Sequence, residues 1–289
     1  MERLPHPRAA ELLALVLDRL EAAAGESAPG VSWFTSPNWL TPGARQKKPE
    51  GCYDLGVAHG VPGVLGFLAA AQRAGARDPR IRRLAEGAVP WLQAQKLAPN
   101  DVSVFPGFLI PGQEPEPTRT AWCYGDLGIA CVLLSAARSF GNLDWEREAI
   151  DLARGALDRP AEVTQTTDPG LCHGWAGHAH LYNRLFQATG DPDFKEAALL
   201  GYQRAAEGCF PAADPESLSL WLSGEPGLER WQSEYGFLSG AAGVGLALLG
   251  ANTEIEPVWD RVLLVSIPTA GPLPRQVSSA KAPFTPYST

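Results

Sequence analysis

Four glycine turns at long, similar intervals constrain this chain more than any other feature. They read His59-Gly60-Val61-Pro62-Gly63, Cys123-Tyr124-Gly125-Asp126-Leu127-Gly128, His173-Gly174-Trp175-Ala176-Gly177 and Ser239-Gly240-Ala241-Ala242-Gly243. Their first glycines lie 65, 49 and 66 residues apart by their numbering. Repetition at such a period implies stacked supersecondary units, with room for insertions between them. Each turn leads into an Ala/Leu/Val-rich run, Val64 to Ala74, Ile129 to Ser139 or Ala179 to Thr189, long enough for about three helical turns. A second, more charged helix answers each run: Arg80 to Gln95 after Asp78-Pro79, Trp145 to Leu157 after Leu143-Asp144, and Asp193 to Glu207 after Asp191-Pro192. Asp before Pro is a helix start, because the carboxylate satisfies a free amide and proline has none to orphan.

One helix apolar all round paired with one that has a solvated face is what a two-layer ring or solenoid requires. No sustained alternation of β-branched residues signals a strand. The expected fold class is therefore all-α. Residues 29–53, rich in Pro, Gly and Trp, read as an irregular segment packed by Trp33, Phe34 and Trp39. Residues 98–121, with prolines at 99, 106, 111, 115 and 117, read as a long ordered loop or lid. A single domain is expected over residues 1–268, followed by a disordered Pro/Ser/Thr-rich tail over 269–289.

Composition narrows the partners. A net charge of −8 with a pI near 5.2 gives no extended basic track for nucleic acid. The apolar run Leu12 to Leu17 is bracketed by Glu11 and Asp18, which suits one face of an amphipathic helix better than a signal peptide. No stretch reaches the roughly 18–20 apolar residues of a membrane span. Five widely spaced cysteines do not form a disulfide framework, so a reduced, cytoplasmic protein is expected.

Cys123, Cys172 and His173 are the chemically informative residues: two thiols and an imidazole beside glycine turns of neighbouring repeats. Three protein ligands are one fewer than a structural zinc takes, which is the pattern of a catalytic zinc with an open fourth position. The competing reading makes the cysteines small buried hydrophobes and His173 a helix cap. Cys52, Cys131 and Cys209 have no paired spacing, and Cys131 reads as core. His178 and His180 read as partners for neighbouring polar groups, Asp54 and Asp126 as helix caps, and Trp175 as the tryptophan lining a pocket.

The strings His59-Gly60-Val61-Pro62-Gly63, Trp122-Cys123-Tyr124-Gly125 and Cys172-His173-Gly174-Trp175-Ala176-Gly177, in this order, resemble those of the lanthionine synthetase C-like (LanC) cyclases over about residues 30–265. The resemblance implies an α/α toroid, a double-layered ring of helical hairpins, with zinc on Cys123, Cys172 and His173. It implies addition of a cysteine thiol to dehydroalanine or dehydrobutyrine in a dehydrated precursor peptide, in some settings beside a dehydratase partner, with glutathione handled by eukaryotic-type relatives. A zinc-bound thiol loses its proton outright, and attack on the β-carbon leaves an enolate that needs stabilisation and a proton. His59, Arg119 and Tyr124 are the catalytic candidates: His59 as proton shuttle, Arg119 as anion stabiliser, Tyr124 as a hydrogen-bonding partner. Leu127 stands where the family often has proline. Four glycine turns are also fewer than the seven repeats usual in such rings, so N-terminal repeats, and the acidic residue they contribute, are expected to be missing. A non-catalytic peptide or glutathione binder and a zinc-dependent prenyltransferase-like ring enzyme are the alternatives.

Overall fold

A computed structural model describes residues 6–27, 29–99, 101–159, 161–209, 220–222 and 230–268. The tail expected over 269–289 lies outside the described residues. The chain begins with helix α1 (Pro7–Ala23), strands β1 (Ala24–Ser27) and β2 (Gly30–Thr35), helix α2 (Pro42–Lys47) and strand β3 (Cys52–Asp54). Helices α3 (Val61–Arg73) and α4 (Pro79–Gln93) follow, then strand β4 (Phe108–Leu109). Helices α5 (Asp126–Phe140), α6 (Leu143–Leu157), α7 (Ala161–Thr164), α8 (Trp175–Thr189) and α9 (Pro192–Glu207) come next. Strands β5 (Leu220–Leu222) and β6 (Arg230–Gln232) and helix α10 (Ala241–Asn252) lead to a 3-10 turn over Val258–Leu263.

The helices form two layers, and burial shows why. In α5, 13 of 15 residues are buried, so it can only be an inner helix. Its partner α6 buries Trp145, Ala149, Leu152, Ala153 and Ala156, a single stripe at helical spacing with a solvated opposite face. The α8 and α9 pair repeats the arrangement, and so does the α3 and α4 pair. Inner helices pack in sequence, α3 on α5, α5 on α8 and α8 on α10, while each outer helix packs on its own inner partner. Asp78 and Asp191 cap α4 and α9 as expected, accepting from the Arg80 and Asp193 amides at 2.9 and 3.1 Å. At α6 the cap is Asn142 rather than the Leu143-Asp144 start read from the sequence.

The protein is mostly helical, with one addition to the expected all-α fold. Strands β1 to β4 form an antiparallel sheet in that order, and β5 pairs with β6. These strands are two to six residues long, too short for alternation to register in the sequence. Two of them fall in the segment expected to be irregular. There Trp33 does pack, its indole N–H donating to the Leu20 carbonyl at 2.8 Å, but Trp39 is 85% exposed and packs nothing together. The proline-rich loop is ordered. The Asp126 carboxylate accepts from the amides of Val104 (2.7 Å) and Phe105 (3.0 Å) and pairs with the Arg159 side chain, so Asp126 pins this loop and does not cap α5, whose N-cap is Gly125 with no side-chain hydrogen bond.

A second buttress comes from the C-terminal side. Residues 258–268 run along the inner helices, burying Leu263, Val265 and Ile267. Trp122 donates its indole N–H to the Leu263 carbonyl at 2.8 Å, Ser135 Oγ donates to the Ser266 carbonyl at 3.3 Å, and Arg138 donates to the Pro268 carbonyl at 2.5 Å. Asp260, wholly buried, meets His180 Nε2 at 3.0 Å and Arg184 Nε at 2.8 Å. His180 therefore serves a neighbouring polar group, as its sequence context suggested. At the flanks, Leu12, Leu15 and Val16 on α1 and Leu249 on α10 stay exposed. Among the described residues no helix is long and apolar enough to cross a membrane.

Removing one partner of a buried charge cluster strands the others without water. Asp260→Ala is therefore expected to lower the unfolding free energy by about 3–5 kcal/mol in urea titrations. A loss below about 1 kcal/mol, the range of a surface ion pair, would show that this segment does not hold the inner helices.

Candidate metal centre and its surroundings

The four glycine turns share one geometry. A Cβ placed on Gly60 would lie 2.0 Å from the carbonyl oxygen of Asp54, and one on Gly125, whose φ is +137°, would lie 2.1 Å from that of Arg119. Both contacts are too close for any side chain, so each turn folds back against the residue six positions earlier. Gly174 makes the same approach to Asp168, and Gly240 to Glu234. Aligned on these glycines, the turns place Asp54, Arg119, Asp168 and Glu234 six residues before, Ala58, Cys123, Cys172 and Leu238 two before, and His59, Tyr124, His173 and Ser239 one before.

Backbone hydrogen bonds stitch neighbouring turns through the second of these positions. The Ala58 amide donates to the Cys123 carbonyl (3.4 Å), the Cys123 amide to the Cys172 carbonyl (3.4 Å), and the Cys172 amide to the Leu238 carbonyl (2.8 Å). Two cysteines far apart in sequence thereby become neighbours. Among the described residues, Cys123, Cys172 and His173 form a group whose donor atoms all lie within 4.8 Å of one another. Cys123 is buried, whereas Cys172 and His173 are half-buried and so partly exposed to solvent.

Electrostatics in this cluster favour a thiolate. The Cys172 thiol, followed by His173 and the Arg119 charge, holds the Cys123 thiol down to about 5, against the opposing effect of burial. Cys172, which donates its proton to Cys123, is pushed up correspondingly, and burial adds to the rise. The His173 imidazole is raised, chiefly by its hydrogen bond with Cys123. Asp168 stands behind His173, with Oδ2 3.3 Å from Nε2, and is itself fixed by the Gly170 amide donating to Oδ1 at 2.7 Å. A carboxylate in that place accepts from Nε2–H, fixes the ring's tautomer and leaves the lone pair of Nδ1 free to bind a metal.

The donor set fits zinc. Two thiols and an imidazole are borderline-soft donors, and tetrahedral Zn–S and Zn–N bonds separate them by about 3.5–3.8 Å, within a small contraction of the observed cluster. No fourth protein donor joins the group among the described residues.

The catalytic candidates lie in or next to the turns that carry the cluster. Arg119 is half-buried, near enough for its charge to act on Cys123, Cys172 and His173. The Tyr124 ring lies 6.4 Å from that of the exposed His59 and 4.9 Å from that of Phe108, which β4 brings in from the proline-rich loop. The Tyr124 hydroxyl donates to Asp54 Oδ2 at 2.8 Å, and burial followed by the Asp54 charge pushes the phenol up. Burial likewise raises Asp54, opposed by hydrogen bonds from Gly56 and Tyr124. Lys48 Nζ lies 2.8 Å from the Phe108 ring centroid. Asp54, Asp168 and Lys48 were not singled out as site residues from sequence; aligning the four turns on their glycines would have exposed the two acids.

The remaining residues noted in the sequence have other surroundings. His178 is buried, bonded to Thr166 Oγ1 (3.1 Å) and to the Thr120 carbonyl, and burial lowers its basicity. Cys52, Cys131 and Cys209 are free and buried, and in each burial pushes the thiol up. Trp175 lines a cleft of about 230 Å³ with Thr167, Pro169, Arg204, Gly208 and Trp231.

Fold and site together define a two-layered helical ring protein with a Cys-Cys-His cluster at one end of its inner helices. The chain belongs to the lanthionine synthetase C-like family, whose model matches residues 35–264. Its fold is similar to that of nisin cyclase, with a TM-score of 0.71 and 19% identity over 90% of this chain and 62% of that one. A curated relative from Danio rerio, glutathione S-transferase LANCL1, is 25% identical over 143 residues, 48% of this chain and 32% of the relative. The chain thus spans less than two thirds of the length of either protein.

Asp168→Asn removes the charge behind His173 while keeping an oxygen for the Gly170 amide. Zinc affinity, measured by competition with a chromophoric chelator, is expected to fall about 10–100-fold with the helical circular dichroism unchanged. Undiminished affinity would mean that Asp168 does not support the cluster.

Proposed function

We propose that this protein is a zinc-dependent thioether-forming cyclase, adding a cysteine thiol of a dehydrated peptide to a dehydroalanine or dehydrobutyrine in the same chain. The observation that supports this reading is the three-donor cluster of Cys123, Cys172 and His173, two of them only half-buried, with the Arg119 charge acting on it. Cys123, Cys172 and His173 would hold zinc, which supplies a position where a substrate thiol is kept as thiolate.

The protein's own groups answer the rest of the reaction. The sulfur lone pair forms the S–C bond at the β-carbon, and the C=C π electrons move toward the carbonyl as an enolate. Arg119, which cannot lose its proton, would stabilise that charge. Collapse of the enolate takes up one proton at the α-carbon, and His59, exposed at the rim, is the group that can exchange it with solvent. The thiol proton lost at the start balances the one gained, so ring closure leaves the peptide's mass unchanged.

The similarity to a Danio rerio glutathione S-transferase, LANCL1, favours a second thiol, glutathione, at the same site. Mass spectrometry separates the two, since glutathione addition raises the mass of a dehydrated peptide and cyclisation does not. Incubated with zinc-loaded protein, a peptide carrying one cysteine and one dehydroalanine is expected to lose its alkylatable thiol at constant mass. Chelation of the metal or Cys172→Ala should abolish this, and zinc should restore the chelated sample. Full activity in Cys172→Ala would rule the reading out.

A further inference from the structure

Both oxygens of the Asp54 carboxylate are already engaged. Oδ1 accepts from the Gly56 amide at 2.8 Å, and Oδ2 accepts from the Tyr124 hydroxyl at 2.8 Å. The residue is 6% exposed at the end of β3, where it pairs with Phe108 of β4. Phe108 in turn presses its ring on Tyr124 from one side while His59 lies on another. The phenol is therefore held by its ring and by its only proton. A phenol that has given its proton to a carboxylate presents lone pairs alone to anything else it meets.

We propose that Asp54 is a positioning residue of this site: by accepting the Tyr124 hydroxyl proton it commits the phenol to accept a hydrogen bond from the substrate's backbone N–H, and leaves proton delivery to His59. The assignment rests on the cyclase reading and reverses what the residue type alone suggests for Tyr124, which is donation to the enolate. It follows from the shared repeat geometry. The position six residues before the turn glycine supplies a carboxylate to the ring one residue before it, from Asp168 to His173 within one repeat and from Asp54 to Tyr124 across two.

The test uses the zinc-loaded full chain with tyrosines labelled at Cζ by 13C, the Tyr124 signal being assigned through its loss in Tyr124→Phe. Asp54→Asn is expected to shift that signal and not those of the other tyrosines; an unmoved signal overturns the proposal. In cyclisation assays, Asp54→Asn and Tyr124→Phe should each slow turnover by about tenfold, the double variant no further, because they remove one interaction. Losses that multiply overturn it. Should Asp54→Asn not fold, Tyr124→Phe, which keeps the ring beside Phe108 and His59, is compared with His59→Asn for the configuration of the product α-carbon. A single α-epimer from Tyr124→Phe and a mixture of epimers from His59→Asn, where solvent protonates either face, supports the assignment, and the reverse overturns it. Wild-type protein that makes no thioether while its Tyr124 signal still responds to Asp54→Asn would defeat the cyclase reading and leave the hydrogen bond standing.

Discussion

Everything chemical about this protein depends on three backbone hydrogen bonds, Ala58 to Cys123, Cys123 to Cys172 and Cys172 to Leu238, that run from each glycine turn to the next. They stitch equivalent positions of successive repeats into one line at the same end of the inner helices. The turns can be stitched only because their glycines come within reach of a carbonyl where a Cβ would not fit, as at Gly60 and Gly125. A side chain there would push the turn outward and move the thiol two residues before it. The Cys-Cys-His cluster is thus a consequence of the repeat: two adjacent copies carry cysteine at the same position, and one of them adds histidine.

The rest of the fold braces that line. The Asp126 carboxylate ties the proline-rich loop to the head of α5 and so fixes Phe108 against Tyr124. The segment from Val258 onward reaches Trp122, the neighbour of Cys123, and locks onto α8 through Asp260, His180 and Arg184. Buried polar groups of this kind add little net stability over a well-packed apolar core, but leaving one unpaired is costly, which restricts the segment to one placement. Both braces end within a residue of the thiol of Cys123, on either side of it.

The helical pairs were legible in the sequence because an inner helix such as α5 is apolar all round while α6 carries a single stripe. Cys123, Cys172 and His173 were legible because their types and glycine contexts match a known chemistry. The sheet was not, since strands as short as β3 and β4 leave no alternation, and Trp39 was misjudged because an aromatic residue carries no mark of whether anything packs on it. Asp260 gave no signal either, its partner His180 lying 80 residues away. The stitching of the turns was invisible for a deeper reason: amide-to-carbonyl bonds are made by backbone common to all residues, so only the repeated glycines hint at them. Asp54 reads as a helix cap and Asp168 carries no mark of its own, because only their shared place six residues before a turn glycine sets them apart.

Zinc binding by this cluster is tested most directly by X-ray absorption at the zinc K-edge on the purified protein carrying zinc. One zinc per chain is expected, bound by two sulfurs at about 2.3 Å and by one imidazole nitrogen and one light, exchangeable ligand at about 2.0–2.1 Å. A four-sulfur shell, a shell without sulfur, or an unchanged spectrum in Cys123→Ala would contradict it.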